Sequence, residues 1–106
     1  MCVRWCDNLY VSDSVKDKKD TFINRINNHK LCFETYIITL PSNPSNLLDI
    51  YNANTLLQPY YQRQDMTVVG LALGKDEAYE VVRRIVADMY SSAQGFDVLK
   101  FFNIRQ

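Results

Sequence analysis

The sequence predicts a single α/β domain in which strands and helices alternate as β-α-β-α-β-α-(β) around a mainly parallel four-stranded sheet. The strongest observation is the nearly unbroken apolar run of residues 66–73, which is typical of a strand buried on both faces. Gly74 ends this run, and residues 75–90 repeat apolar side chains at the spacing of an amphipathic helix. An α+β domain with a short helical C-terminus is the alternative, because residues 96–102 fit either a fourth strand or a helix.

Length and composition describe an ordinary globular domain. The 106 residues are 47% hydrophobic and 23% charged, so residues 1–106 are interpreted as one domain, with residues 1–8 as an irregular N-terminal arm. Twelve basic and twelve acidic residues cancel, which argues against affinity for nucleic acid or an anionic membrane. With no signal segment, no membrane-length apolar run and an odd number of cysteines, the sequence predicts a cytoplasmic protein.

Three further elements are expected before the central strand. A short strand at residues 9–11 leads into a helix that starts within residues 12–14 and ends near Asn28. A second strand, rich in β-branched and aromatic residues, covers residues 32–40. A second helix is then expected after Pro44, since proline keeps the residue before it out of the helical region. The apolar side of that helix is predicted to consist of Leu47, Leu48, Ile50, Tyr51 and Leu57.

The middle of the long helix makes a specific prediction. Ile85 lies in the centre of the apolar stripe and is expected to be buried against the strand that contains Val69 and Leu71. Arg84 is expected to face solvent, so its replacement by alanine should have little effect on stability.

A polar rim is predicted where the strands end. Ligands bind outside the carboxyl ends of strands in open parallel sheets, and a polar segment follows each of the first three strands. Its carboxylates would bind a cation or act as acid and base, its lysine would bind an anion, and its asparagine would orient the ligand. The alternative is that these residues only cap helices and close turns. The ligand-binding candidates are Asp13, Ser14, Asn43, Lys75 and Asp76.

A candidate interaction surface lies just before the central strand. Tyr60, Tyr61 and Arg63 follow Pro59, and aromatic residues with arginine are enriched in interface hot spots. The alternative is that these side chains pack into the core as the chain returns to the sheet.

Residues 70–76 do not form a phosphate-binding loop. That motif has the form G-x-x-x-x-G-K-[ST], whereas this spacer is one residue short and Asp76 stands in place of the hydroxyl.

Cys2, Cys6, His29 and Cys32 are residue types that zinc accepts as a four-ligand set. The favoured interpretation is structural, because Cys32 starts an apolar strand and behaves as a small buried side chain. The sequence therefore predicts no cofactor.

Three segments carry a resemblance to a known family: NPSNLLDI at residues 43–50, QPYY at residues 58–61 and VGLALG at residues 69–74. Through them the chain resembles a small bacterial family of unassigned function, over about residues 9–102. The resemblance implies a bacterial, cytoplasmic, single-domain protein, and it implies no activity or catalytic residue.

Two functional hypotheses follow. The first is an interaction or regulatory module without catalytic activity, which associates with itself or with another protein. It is based on the lack of a compelling catalytic set, the neutral charge and the aromatic segments. The second is a small-molecule-binding domain, or an enzyme, that uses the polar rim.

Overall fold

The structure is a computed structural model and describes residues 2–28, 30–41, 47–58 and 65–91. These ranges form a mixed α/β domain, whereas the undecided segment at residues 96–102 lies outside them. The elements in chain order are β1 (Cys2–Val11), α1 (Asp13–Lys16), α2 (Lys19–Asn27), β2 (Thr35–Thr39), β3 (Asp49–Asn52), a 3₁₀ turn (Ala53–Leu57), β4 (Asp65–Leu73) and α3 (Lys75–Ser91).

The strand predicted to be central lies inside the sheet. The described strands are ordered β1-β4-β2-β3, so β4 has a hydrogen-bonded neighbour on each side. Val68, Val69, Leu71 and Ala72 are all fully buried. Because successive side chains of a strand point to opposite faces, this run confirms that β4 is covered on both faces.

Each face of the sheet has its own hydrophobic core. One core holds Val68 and Leu71 of β4 together with Val15 of α1 and Ile26 of α2. The other core lies beneath α3. Its fully buried members are Ile38, Val69, Ala72, Ala78, Val81, Ile85 and Met89.

Strand β1 is longer than expected. It starts at Cys2 rather than at residue 9, and it pairs in parallel with β4, so the irregular N-terminal arm is wrong for the described residues. The register explains why the residues before Leu9 lack the two-residue alternation by which a strand is recognised. Trp5 lies opposite Val68 and Tyr10 lies opposite Gly70, so five steps along β1 match only two steps along β4. Such a bulge removes the strict alternation from which a strand is predicted.

The mainly parallel sheet is also wrong for the described strands. Only β1 and β4 pair in parallel, whereas β2 pairs antiparallel with both β3 and β4. Parallel neighbours need a crossover connection of a dozen or more residues, usually a helix. Between β2 and β4 the described chain contains only the short strand β3 and a 3₁₀ turn, and the chain returns beside β2 in the opposite direction.

A strand occupies part of the segment in which the second helix was predicted. Ile50 packs against the core under α3, whereas its neighbour Tyr51 packs against the opposite core. That alternation has the two-residue period of a strand. The side-chain oxygen of Asn52 then accepts a hydrogen bond from the backbone N–H of Asn54 at 2.9 Å and starts the 3₁₀ turn.

The first predicted helix is present as two pieces. Asp17 and Lys18 separate α1 from α2. Both pieces place apolar side chains in the core beneath them, and α2 ends at Asn27 with Asn28 as its C-cap, near the expected position.

The long helix α3 agrees with its prediction in most respects. Gly74 has a φ of 84°, a left-handed conformation that favours glycine, at the turn between β4 and α3. Ile85 is fully buried and packs in the same core as Val69. Leu71 lies in the opposite core, and Tyr90, the last residue of the predicted helical repeat at 75–90, is 78% exposed. Across the described ranges, no helix combines the length and apolarity that a bilayer-spanning segment needs.

Candidate functional site

The carboxyl ends of β1 and β4 meet at one edge of the sheet. The backbone N–H of Ser12 donates to the carbonyl of Leu71 at 3.0 Å, and the Ser12 hydroxyl accepts from the N–H of Leu73 at 3.4 Å. Ser12 is 4% exposed and its side chain does not cap α1, although its backbone lies at the N-cap position. The serine therefore joins the two strand ends and fixes where α1 begins.

A hydrogen bond connects α1 to the first turn of α3. The Ser14 hydroxyl donates to Oε2 of Glu77 at 2.8 Å. Hydrogen bonding by the Ser12 hydroxyl, and then by Ser14, holds the pKa of Glu77 below its ordinary value of 4.5, while burial opposes this effect. Oε1 of Glu77 is enclosed, and no donor in the described part of the chain completes a hydrogen bond to it. Glu77 is therefore an ionised carboxylate whose hydrogen-bonding capacity is only partly used.

These contacts form the wall of a cleft, called here the α1–α3 cleft. Its volume is about 330 Å³, which is at the lower end of the range for small-molecule sites. Three carboxylates and one guanidinium line it, so the lining carries more negative than positive charge. The lining residues are Ser12, Asp13, Ser14, Glu77, Glu80, Val81 and Arg84.

Arg84 separates this cleft from a neighbouring groove. Its Nη2 donates to the backbone carbonyl of Val11, and Asp13 is the other residue that the two cavities share. The groove has a volume of about 530 Å³ and is also lined by Tyr10 and Lys16. Arg84 thus holds the end of β1 against α3, and part of its donor capacity is used within the chain.

A second bond joins β1 to α3 further along the helix. The Tyr10 hydroxyl donates to Oδ2 of Asp88 at 2.6 Å. Burial is the main reason that the pKa of Tyr10 is raised, and the hydrogen bond to Asp88 adds to the effect. Tyr10 therefore stays a neutral donor, and it contributes no charge to the groove.

The structure brings only part of the predicted rim together. Asp13 and Ser14 line the α1–α3 cleft. Lys75 and Asp76 follow the adjacent strand end, but both are exposed and neither lines the described cavities. Asn43 lies outside the described residues, and β2, the strand that precedes it, runs antiparallel to β4 and ends at the opposite edge of the sheet.

The remaining sequence candidates are not brought into the cleft. Tyr60, Tyr61 and Arg63 lie outside the described residues, so that interaction surface stays a prediction.

The four-residue zinc set does not form as a unit. Cys6 packs on the core beneath α3, whereas Cys32 is buried in the core on the other face, so the sheet separates them. His29 and the side chain of Cys2 lie outside the described part of the chain. Within the described part, no group of three or more histidine, cysteine, aspartate or glutamate residues is placed to hold a metal ion.

Three charged residues of the cleft were not predicted from sequence. Glu77, Glu80 and Arg84 lie on one flank of α3, at a spacing of three and then four residues. The sequence pattern places all three on the charged side of an amphipathic helix, where contact with solvent is the usual outcome. Their spacing shows that the three residues share one flank of the helix. It indicates a site only when β1 is known to lie beside that flank.

We expect the Glu77 carboxylate to contribute stability that depends on pH. A folded-state pKa below the unfolded value stabilises the fold above that unfolded value, near 4.5, and the contribution is lost as the pH falls through the folded-state pKa. Glu77→Gln should therefore lower stability at pH 7 by about 0.5–1.5 kcal/mol, since the amide still accepts from Ser14 but carries no charge. Urea unfolding of both proteins at pH 7 and pH 3 measures this. Equal stability differences at the two pH values would contradict it.

Comparisons with protein-family models, with curated proteins and with solved structures each returned no match to this chain. The resemblance to a small bacterial family therefore stays a prediction. The class defined by the described geometry is a mixed α/β domain with a charged cleft at the carboxyl ends of its parallel strand pair.

Proposed function

We propose that the chain is a small-molecule-binding module that takes a ligand with a protonated amine or guanidinium group in the α1–α3 cleft. The observation that carries the proposal is Glu77, an ionised carboxylate at the wall of a cleft that two further carboxylates, Asp13 and Glu80, also line. A carboxylate at the wall of a partly enclosed cleft attracts a cationic group more strongly than it would in bulk water. Oε1 is enclosed, so a ligand ammonium group interacts with the charge of the carboxylate rather than through a hydrogen bond to that atom.

The balance of charge supports a cationic ligand. Asp13, Glu77 and Glu80 face a single lining cation, Arg84, which already donates to the carbonyl of Val11. Glu80 also accepts from Arg83 at 3.0 Å, but both side chains are largely exposed, so this pair neutralises little. An anionic ligand would meet net repulsion from three carboxylates, whereas an ammonium group gains attraction and charge-assisted hydrogen bonds.

The position of the cleft supports the same proposal. It opens beyond the carboxyl ends of β1 and β4, the only parallel pair among the described strands. This is the edge at which α/β sheets bind ligands. Two hydroxyls add polar groups that are able to orient the ligand: the buried one of Ser12 and the exposed one of Ser14.

The proposal is one of binding rather than catalysis. A general acid or base works best when its pKa lies near the operating pH. The pKa of Glu77 is instead lowered, away from neutral pH, because its neighbouring hydroxyls stabilise the charged form. A carboxylate that stays ionised is suited to holding a cation.

A calorimetric titration with 1,4-diaminobutane tests the proposal. We expect the wild-type protein to bind the diamine, and Glu77→Gln to weaken binding by roughly tenfold, about 1.4 kcal/mol. Asp76→Asn is the matched control, since it removes a carboxylate from the adjacent position of α3 that does not line the cleft. Its affinity should stay within about twofold of wild type, because the interaction between exposed charges is screened by salt.

The dicarboxylate glutarate serves as the opposite probe. The proposal predicts that glutarate binds more weakly than the diamine. Tighter binding of glutarate, or equal losses in Glu77→Gln and Asp76→Asn, would overturn the amine site.

A further inference from the structure

A short loop before β2 exposes two large apolar side chains. Leu31 is 69% exposed and Phe33 is 86% exposed, whereas Cys32 between them is buried at 3%. Because the Cys32 side chain is buried in the core, the side chains of Leu31 and Phe33 on either side of it point toward solvent. This loop, residues 30–34, lies away from the α1–α3 cleft in sequence and shares no lining residue with it.

Side chains from two other elements hold the loop backbone in place. Nη2 of Arg25 donates to the carbonyl of Leu31 at 2.6 Å. The side-chain amide of Asn54 pairs with both backbone groups of Cys32: Oδ1 accepts from its N–H at 2.7 Å, and Nδ2 donates to its carbonyl at 2.9 Å. These hydrogen bonds restrict the backbone conformation of the loop, so binding through Leu31 and Phe33 costs little further conformational entropy.

The end of the loop is fixed as well. The carbonyl of Glu34 accepts from the N–H of Gly74 at 2.6 Å, and the carbonyl of Phe33 accepts from the Thr35 hydroxyl at 3.1 Å. Glu34 has a φ of 53°, which is unfavourable for a residue with a side chain. A strained loop whose backbone is held at Leu31, Cys32, Phe33 and Glu34 is pre-organised for binding, because ordering adds little entropic cost.

The charges beside the apolar pair favour a second copy of this chain as the partner. Lys30 precedes Leu31 and Glu34 follows Phe33; both are exposed, and neither forms a salt bridge within the described residues. In chain order the loop therefore consists of a cationic residue, an exposed apolar residue, the buried cysteine, a second exposed apolar residue and an anionic residue. If two such loops meet about a two-fold axis near Cys32, each Lys30 faces the other copy's Glu34. The same operation places Leu31 against the other copy's Phe33, so the pattern is complementary to itself.

We propose that two copies of this chain associate through residues 30–34 about a two-fold axis. A two-fold contact uses the same patch on both copies, and this loop satisfies that requirement. The patch is small, so the dimer belongs to the weak, concentration-dependent class of interfaces. The loop and the cleft share no lining residue, and Gly74, which bonds to Glu34 and precedes α3, lies between them in the structure.

Sedimentation velocity over increasing protein concentration tests the dimer. We expect wild type to shift from monomer to dimer, and Phe33→Ser to remain monomeric at concentrations where wild type is dimeric. Tyr79→Ser is the matched control, because Tyr79 is a large exposed side chain on α3, outside the loop. It should dimerise like wild type.

Charge exchange tests the two-fold geometry itself. Lys30→Glu and Glu34→Lys should each weaken the dimer by roughly fivefold or more, because each places like charges opposite one another. The double variant Lys30→Glu/Glu34→Lys should recover wild-type association. A wild type that stays monomeric at millimolar concentration, a dimer insensitive to Phe33→Ser, or a double variant that does not recover would each overturn the proposal.

Discussion

Replacing Ile85 by alanine is expected to lower the free energy of unfolding by about 2–5 kcal/mol. Ile85 is fully buried between α3 and the sheet, in the same core as Val69, Val81 and Met89. The substitution removes apolar surface from this core and leaves a cavity that the close-packed neighbours fill only in part. The loss is a large share of the roughly 5–15 kcal/mol that stabilises a domain of this kind. Urea unfolding of both proteins measures it.

The control for this experiment is Arg83→Ala rather than Arg84→Ala. The Arg83 side chain is 75% exposed and, among the described residues, forms its salt bridge with the exposed Glu80, so its loss should change stability by about 0.5 kcal/mol or less. Arg84 was expected to be an inert surface residue, but it donates to the carbonyl of Val11 and so holds β1. Equal shifts for Ile85→Ala and Arg83→Ala would contradict the placement of α3 on the sheet.

Replacing Gly70 by alanine is expected to destabilise the protein by about 1–3 kcal/mol. An added Cβ would lie 3.0 Å from Cγ1 of Val81 and 3.1 Å from both Cβ and Cδ1 of Ile38. Ile38 is the cross-strand partner of Gly70, and its Cβ is fixed by the backbone, so that contact cannot relax by a rotamer change. Alanine restricts the unfolded chain more than glycine does, which offsets roughly 0.5–1 kcal/mol of the loss. Thermal and urea unfolding should both report the decrease.

A double substitution identifies the cause of that decrease. Combining Gly70→Ala with Val81→Ala removes one of the two crowded neighbours, and we expect a favourable coupling of roughly 0.5–3 kcal/mol in a double-mutant cycle. A Gly70→Ala variant as stable as wild type would mean that α3 does not approach β4 this closely.

The elements predicted correctly are those whose signal is local. β4 and α3 differ sharply in period, with a continuous apolar run, then Gly74, then a helical repeat. β1 was predicted too short because the bulge between Trp5 and Tyr10 interrupts its alternation. The residues around Ile50 were assigned to a helix because a four-residue strand shows too few repeats to separate the two periods. The direction of β2 depends on pairings distant in the chain, which no local pattern records.

The candidate site was half predictable for the same reason. Asp13 and Ser14 were found because they follow a strand end, and the parallel pairing of β1 with β4 does bring that end beside α3. Glu77 and Arg84 carry the contacts of the cleft, yet in sequence they resemble any charged residues on a solvated helix face. Only the hydrogen bonds to Ser14 and Val11 distinguish them.

The most direct test of the proposed ligand site is to follow backbone amide resonances by NMR during titration with 1,4-diaminobutane. Residues 12–14 of the chain and Glu77, Glu80, Val81 and Arg84 of α3 line the α1–α3 cleft and should show the largest shifts. The 3₁₀ turn at Ala53–Leu57, which lines neither cavity, provides an internal reference, and its resonances should stay in place. Shifts spread over exposed acidic residues with no preference for the cleft, or no shift at all at millimolar diamine, would contradict the amine-binding site.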